Sequence, residues 1–416
     1  MARLIHICPR YRPAIGGVEL VFEHLCRHYA AAGHEVEVWT TDALTVRGLT
    51  RRGEPTAPAS TDVLDGVRVR RFVPRCWPLQ RVARTLAHAL PGSTRWQATT
   101  CRWSPWVPGL DRACDSESGT VDVVHAAALP YSTLLHAATR LARRTGARLL
   151  ISPFTHVPAP GDAGASMRRA YLSRLNVDLM ASADVVCVQT VSEGTRLVAA
   201  GVPAARIRLT GVGVDIARVA GGDRDRQRGA WGIGPDAVVI GHLANKSRDK
   251  GTPDLLRVMP AVWARHPDVR VVLAGPAMAS YGAHVAREPL DPRVTDLGML
   301  GDAGVRDFMA AIDVFALPSR VESFGLAAME AAATGSAVVA YAHGGPAELW
   351  RDGVDARLVP AGDLDALSTA LAAVCGDATL RNALASAGAA LADAQTWTRV
   401  FERAEDAYGI PGRCVA

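Results

Sequence analysis

Short apolar runs alternate along this chain with longer stretches whose apolar positions recur every three or four residues. Runs such as Leu4–Cys8, Val36–Thr40, Val67–Phe72, Val121–His125, Arg148–Ser152 and Val185–Gln189 read as strands buried on both faces. Between the first two, Val18–Ala32 places Leu20, Val21, Leu25 and Tyr29 on one helical stripe and stops at Gly33. The pattern restarts at Val238. Strands are predicted over Val238–His242, Val269–Ala274, Val294–Leu297, Val314–Leu317 and Ala337–Tyr341. Helices are predicted over Pro253–Arg265, Val305–Ala311 and Phe324–Ala333. Alternation of this kind predicts an α/β protein with parallel sheets covered on both sides. The stretch Gly211–Asp236, rich in Gly, Arg and Asp, reads as a linker. The expected organisation is a first domain over 1–211, a linker over 212–235 and a second domain over 236–396. The segment 397–416 is expected to pack back on the first domain. Two doubly wound domains would face each other across a cleft lined by the carboxyl ends of their strands, where ligands of open α/β sheets bind.

Length agrees with this division, because 416 residues exceed what one core serves. A formal charge of +5 is mild and gives no argument for nucleic acid. The eight cysteines show no C-x-x-C spacing and read as buried, reduced thiols rather than a disulfide framework or zinc site. Met1-Ala2-Arg3 leads straight into a strand-length run, and no apolar window reaches the roughly 20 residues of a spanning helix. A cytoplasmic protein is expected. The stretch Val73–Gly119 breaks the alternation. It is rich in arginine and carries Trp77, Trp96, Trp103 and Trp106. The plainer reading is a variable loop region; the sharper one is an acceptor-binding lid or membrane-surface patch.

The most informative chemistry follows the run Val314–Leu317. Pro318-Ser319 comes next, then Glu322 ahead of a helix-forming run, then Glu330 eight positions after Glu322. The spacing predicts a strand, a loop with Glu322, and a helix with Glu330 about two turns inside. A helix start offers unpaired N–H groups to a phosphate. Two carboxylates beside a phosphate would repel it, so they are read as acceptors for sugar hydroxyls. An anion and a polyhydroxylated group side by side describe a nucleotide sugar. A solvated surface helix is the bland alternative, but Glu330 sits among Ala, Met and Leu, where an unpaired carboxylate is costly to bury.

Taken together, the motifs resemble the family-4 glycosyltransferases of the GT-B fold, with two Rossmann-like domains. Glu322 through Glu330, with Phe324 and Gly325, matches that family's E-x7-E motif. Gly16-Gly17, Ala32–Val38, Val121–His125, Gly213-Val214-Asp215, Lys250-Gly251, Gly344–Leu349, Asp352-Gly353 and Leu358-Val359-Pro360 follow the family's order. The resemblance implies a retaining hexosyltransferase that moves a sugar from a UDP- or GDP-linked donor to a nucleophile, usually a hydroxyl. Glu330 would hold the ribose and Glu322 the transferring sugar. The backbone of Ser323, Phe324, Gly325 and Leu326 would face the donor. Lys250 would neutralise the leaving diphosphate. Gly16 and Gly17 would let the first domain's backbone approach the diphosphate, and the turn at Met299 would lie against the base. His156 would sit near the reacting centre, with His125, His156 and Arg169 on the acceptor side, together with Val73–Gly119 and Pro158–Arg169.

Two departures stand out. The family's usual Gly-Arg at the end of the second domain's first strand is Gly241-His242 here, leaving Arg248 or Lys246 to supply the missing charge. The usual Asn before Gly-Val-Asp is Val212. Asp223-Arg224-Asp225 has a metal-like spacing but lies in the polar linker, so neither a metal ion nor any other cofactor is expected. His125 and His156 each have a structural reading as well as a functional one. The expected acceptor is a small soluble molecule such as a natural-product intermediate or a cyclitol. A lipid-linked or polysaccharide acceptor at the membrane surface is the alternative, and prolines at 74, 78, 91, 105 and 108 argue against an interfacial helix there. A nucleotide-sugar 2-epimerase and a non-catalytic nucleotide-sugar-binding partner subunit are further alternatives. The sequence carries no signal for an oligomeric state.

Overall fold

The computed structural model describes residues 1–14, 16–58, 61–75, 97–98, 104–156 and 170–410. Pro158–Arg169, Trp77, Trp96 and Trp103, on which part of the acceptor-side reading rests, lie outside the described residues. Described residues 1–156, 170–211 and 398–410 form one compact unit, and 212–397 form the other.

The first unit contains β1 (Arg3–Ile7), β2 (Glu35–Thr41), β3 (Thr61–Leu64), β4 (Val67–Phe72), β5 (Val123–Ala127), β6 (Arg148–Ser152), β7 (Val185–Val188) and β8 (Ile207–Leu209). Their order in the sheet is β3-β4-β2-β1-β5-β6-β7-β8. All neighbours run parallel except the β3–β4 pair. That pair is a hairpin turning at Asp65-Gly66, both with positive φ, a signal the alternation pattern passed over. Ile5, Val124, Leu134, Leu135 and Ile151 are wholly buried in its core.

The second unit contains β9 (Val239–Leu243), β10 (Arg270–Ala274), β11 (Val294–Asp296), β12 (Val314–Leu317), β13 (Ala337–Tyr341) and β14 (Arg357–Val359), in the order β11-β10-β9-β12-β13-β14, all parallel. Every residue of β12 and β13 is buried, as expected of strands covered on both faces. The chain winds outward from β9 through β10 to β11, then returns to start again at β12. The switch in direction therefore falls between β9 and β12, the place where open α/β sheets bind their ligands.

Residues 212–235 are not an open connection. Asp215 caps the helix Ile216–Val219 and Asp223 caps the helix Arg224–Ala230. Arg228 is buried, donating to the carbonyls of Ala311, Pro235 and Ala237 and to Asp313. The arginines that gave the segment a linker-like composition are what fasten it to the second unit.

The helix Trp397–Tyr408 brings a tyrosine into the first unit's core. His6 of β1 and His125 of β5 are register partners, and the Tyr408 hydroxyl meets His6 Nε2 at 2.8 Å and His125 Nδ1 at 2.6 Å. His125 Nε2 also meets Ser152 Oγ at 2.8 Å. Burial lowers both imidazole pKa values, so the pair is neutral. The expected acceptor-side role of His125 is corrected here, since the side chain is 1% exposed and its ring nitrogens are spent inside the core. Cys8, Cys26, Cys114, Cys187 and Cys375 are buried free thiols. No helix among the described residues is long and apolar enough to cross a membrane.

Removing the Tyr408 hydroxyl leaves two buried imidazole nitrogens without their partner. Tyr408→Phe is expected to lower the unfolding free energy by about 1–3 kcal/mol, read from urea denaturation. An unchanged midpoint would show that this network contributes nothing.

Candidate functional site

The site of the second unit is built from the two loops that leave β9 and β12. The first runs through Ser247, Lys250 and Gly251 into the helix Thr252–Arg265. The second runs from Pro318 to Gly325 into the helix Leu326–Ala333. They are stitched together: the N–H groups of Arg320 and Val321 both donate to the Asp249 carbonyl, at 2.9 and 3.1 Å. Arg320 also reaches back to Asp254 at 2.7 Å. Gly251 has φ +69°, and a Cβ there would stand 1.7 Å from the Pro318 carbonyl oxygen. Only glycine lets the backbones come this close.

This stitching brings Lys250 to Glu322. The ammonium donates to Glu322 Oε2 at 3.0 Å and to the Val321 carbonyl at 3.3 Å. The other oxygen, Oε1, accepts from the N–H groups of Ser323 and Gly325, both at 3.2 Å. A third segment closes the arrangement from behind. Gly344 has φ +62°, and a Cβ there would lie 1.9 Å from the Glu322 carbonyl oxygen. The Gly344-Gly345 turn thus fixes the height of the Glu322 loop, a part the sequence reading quoted but did not assign.

Gly325 takes φ +89°, so the helix starts at Leu326 rather than Phe324. Glu330 therefore lies just past the first turn, not two turns in. Helix geometry leaves the N–H groups of Leu326 and Ala327 without intrahelical acceptors, a ready place for an anion. Glu330 is buried and meets Arg218 Nη1 at 3.1 Å, and Arg218 Nη2 meets Asp302 at 3.3 Å. Burial pushes the Glu330 carboxyl up to about 7, with Arg218 working against it and Asp215 and Asp302 with it. Arg218 was not picked out from the sequence, since nothing in its spacing links it to Glu330.

His242 does something different from the arginine it replaces. Its Nδ1 lies 2.9 Å from the Ala316 carbonyl of β12, and Nε2 lies 2.9 Å from Thr252 Oγ1. A carbonyl only accepts, so Nδ1 carries the proton and Nε2 accepts from the threonine hydroxyl. Thr252 Oγ1 in turn accepts the Ser247 N–H, and Ser247 Oγ accepts the Lys250 N–H. Burial holds the imidazole pKa down to about 4, although the Ala316 bond pulls the other way. His242 is thus a neutral clamp between β9, β12 and the Lys250 loop, not a cation for a phosphate.

Lys246, one of the two residues considered for that missing charge, is buried and paired with Asp296, its ammonium 5.0 Å from the Tyr281 ring centre. Asp296 also accepts from Tyr281 and from the Gly298 N–H. Lys246 therefore anchors the turn carrying Met299, and its expected donor contact is corrected on that ground. Met299 is 67% exposed and Arg248 is also exposed at the surface.

In the first unit, Gly16 precedes the helix Gly17–Ala31, and a Cβ on it would meet Glu19 Oε2 at 2.3 Å. Glu19 is paired with Arg10 at 2.8 Å, a contact not foreseen. Gly17 faces open space. His156 is half-buried and lies 3.3 Å from the Tyr171 hydroxyl. Its loop is strained, with Phe154 at φ +49°. Buried Glu193 holds that loop by accepting the Thr155 N–H at 2.5 Å and the Gln189 N–H at 2.8 Å. Arg169 lies outside the described residues.

Residues 16–213 match the family model described as "Glycosyl transferase 4-like domain", and residues 234–377 match "Glycosyl transferases group 1". The D-inositol 3-phosphate glycosyltransferase of Kribbella flavida is 26% identical, over 97% of this chain and 93% of that protein. The protein of the same name from Actinosynnema mirum is 29% identical, over 97% and 95%. Among solved structures, sucrose-phosphate synthase from Thermosynechococcus elongatus superposes with a TM-score of 0.72 at 20% identity, covering 98% of each chain. Anabaena HepE, solved with UDP and glucose, superposes at 0.71 and 21% identity, covering 98% of this chain and 99% of its own. At these identities the structures speak to the fold.

The Gly344 turn generates a direct test. Gly344→Ala forces a side chain against the Glu322 carbonyl at a backbone angle that disfavours one, and is expected to cost about 1–3 kcal/mol of stability by urea denaturation. Gly17→Ala, which meets nothing, should stay within about 0.5 kcal/mol of the parent. Equal effects at the two positions would contradict the close approach.

Proposed function

The chain belongs to the family-4 glycosyltransferases of the GT-B fold, and from that premise we propose that it moves a sugar from a uridine or guanosine diphosphate to a hydroxyl of a small soluble acceptor, with retention at the anomeric carbon. The observation that supports this best is the Lys250–Glu322 contact on loops that meet at the β9/β12 switch point, with Glu330 on the adjoining helix. On this reading the second unit takes the donor. Glu330 accepts hydrogen bonds from the ribose hydroxyls. The first-turn N–H groups of Leu326 and Ala327 face the phosphates. Glu322 accepts from hydroxyls of the transferring sugar, keeping its carboxylate aligned through the Ser323 and Gly325 N–H groups.

Lys250 carries the electrostatic part of the step. As the bond from the anomeric carbon to the phosphate oxygen breaks, negative charge collects on the diphosphate, and a fixed ammonium lowers the energy of that charge most where it is greatest. The ammonium is held in place by its contact with Glu322. His156 is assigned to the acceptor on this reading. The relatives named D-inositol 3-phosphate glycosyltransferase, matched over nearly the whole chain, favour a cyclitol or cyclitol phosphate as acceptor.

Two expectations follow. Glu322→Gln keeps the size of the side chain but loses the carboxylate. It should reduce transfer by a hundredfold or more, about 3 kcal/mol of barrier, while nucleoside diphosphate binding stays within about threefold. Glu330→Ala should instead weaken nucleotide binding by one to two orders of magnitude, since a charge-assisted hydrogen bond contributes roughly 1.5–3 kcal/mol. Calorimetry with UDP and GDP separates the two, and parent-like binding by Glu330→Ala would remove it from the ribose site. The charge of the leaving group is assigned to Lys250 and the helix start, with no step given to a metal ion. Turnover should therefore persist in excess EDTA; complete loss, restored by Mg²⁺ or Mn²⁺, would overturn that assignment.

A further inference from the structure

The segment Gly213-Val214-Asp215 and the helix after it are drawn tightly onto the second unit. Val214 pairs with the strand-like residue Thr396, and its N–H donates to the Gln395 carbonyl at 2.8 Å. Asp215 then caps the helix Ile216–Val219 by accepting the Arg218 N–H at 3.0 Å. This cap fixes the backbone of Arg218 beside the helix Leu326–Ala333. The guanidinium spans two carboxylates from different elements: Glu330, which is buried, and Asp302, which is largely exposed. The guanidinium places one nitrogen on each carboxylate, so a single planar cation ties Glu330 to Asp302.

We infer that Arg218 is a positioning residue of the ribose subsite, keeping the Glu330 carboxyl ionised and oriented as an acceptor for the two ribose hydroxyls. The inference rests on the assignment of Glu330 to the ribose. A carboxylate can accept from both hydroxyls at once, whereas a protonated carboxyl must give one of its oxygens to an O–H. Arg218 is the neighbouring group that favours the ionised form. Asp215 and Asp302 oppose it, as does burial. Among the other elements packed against this helix, β12 and β13 bring no charged side chain. The helix Ala378–Ala394 carries Arg381, which is spent on the carbonyls of Val374 and Cys375, and Asp393.

The sign of the pH effect follows. Glu330 has a raised pKa, near 7, so its acceptor form is lost as pH falls through that value. Arg218 lowers the pKa, so removing its charge moves the loss to higher pH. The test is calorimetric binding of UDP and GDP, and of their 2′,3′-dideoxy counterparts, across roughly pH 6 to 9.5, for the parent, Glu330→Gln, Arg218→Met and Arg218→Lys. The parent should discriminate against the dideoxy nucleotide, and Glu330→Gln should lose that discrimination. Arg218→Met should bind the ribonucleotide about tenfold more weakly near pH 7.5, recover toward pH 9.5, and bind the dideoxy nucleotide as the parent does. Arg218→Lys, which keeps the cation, should retain most of the parent profile and guards against a misfolded Met variant.

If Glu330→Gln still discriminates like the parent, the ribose assignment itself fails. If Glu330→Gln behaves as expected but Arg218→Met either matches the parent or weakens both nucleotides equally at every pH, the role of Arg218 is overturned while Glu330 stands.

Discussion

The candidate site of the second unit depends on the close approach of the β9 and β12 loops, which produces the contact between Lys250 and Glu322. Neither side chain reaches it alone. The Asp249 carbonyl receives two N–H groups from the partner loop, Gly251 admits the Pro318 carbonyl, and Gly344 admits that of Glu322. The magnitudes matter. A partly exposed ion pair contributes only about 0.2–1 kcal/mol, whereas a side chain forced into either glycine position would cost more. Backbone approach therefore sets the geometry, and the ion pair adds little to it.

The same logic gives His242 its place. An arginine at the end of β9 would present a permanent charge to the ligand. The neutral imidazole instead spends both nitrogens on the scaffold, linking β12 through Ala316 to the Lys250 loop through Thr252 and Ser247. On the proposed function this leaves Lys250 and the helix start with a larger share of the diphosphate's charge. It also makes the orientation of the Lys250 loop dependent on a buried polar chain, whose members are costly to leave unpaired.

Much of this was legible in the sequence for a physical reason. Buried parallel strands must be continuously apolar, so β12 and β13 were readable to the residue, and Glu322 and Glu330 stood out as charges beside such runs. The short strands β3, β8 and β14 were not, since edge strands of three or four residues need no apolar run. Long-range pairings were equally invisible. Nothing in local spacing tells that Arg218 lies on Glu330, that Tyr408 closes over His6 and His125, or that Lys246 is committed to Asp296. The sequence reading assigned His125 to a ligand as a polar group at a strand end, and Lys246 as a substitute for the charge missing at His242. It could not see that their partners come from distant parts of the chain.

The central claim is that the second unit binds a nucleoside diphosphate with its ribose on Glu330 and its phosphates between Lys250 and the start of the helix Leu326–Ala333. A crystal structure of the protein soaked with UDP or GDP tests this most directly. The account predicts both ribose hydroxyls within about 3 Å of the Glu330 carboxylate and the Lys250 ammonium within hydrogen-bond reach of a phosphate oxygen. A nucleotide bound with its ribose away from Glu330, or with its phosphates out of reach of Lys250, would contradict it.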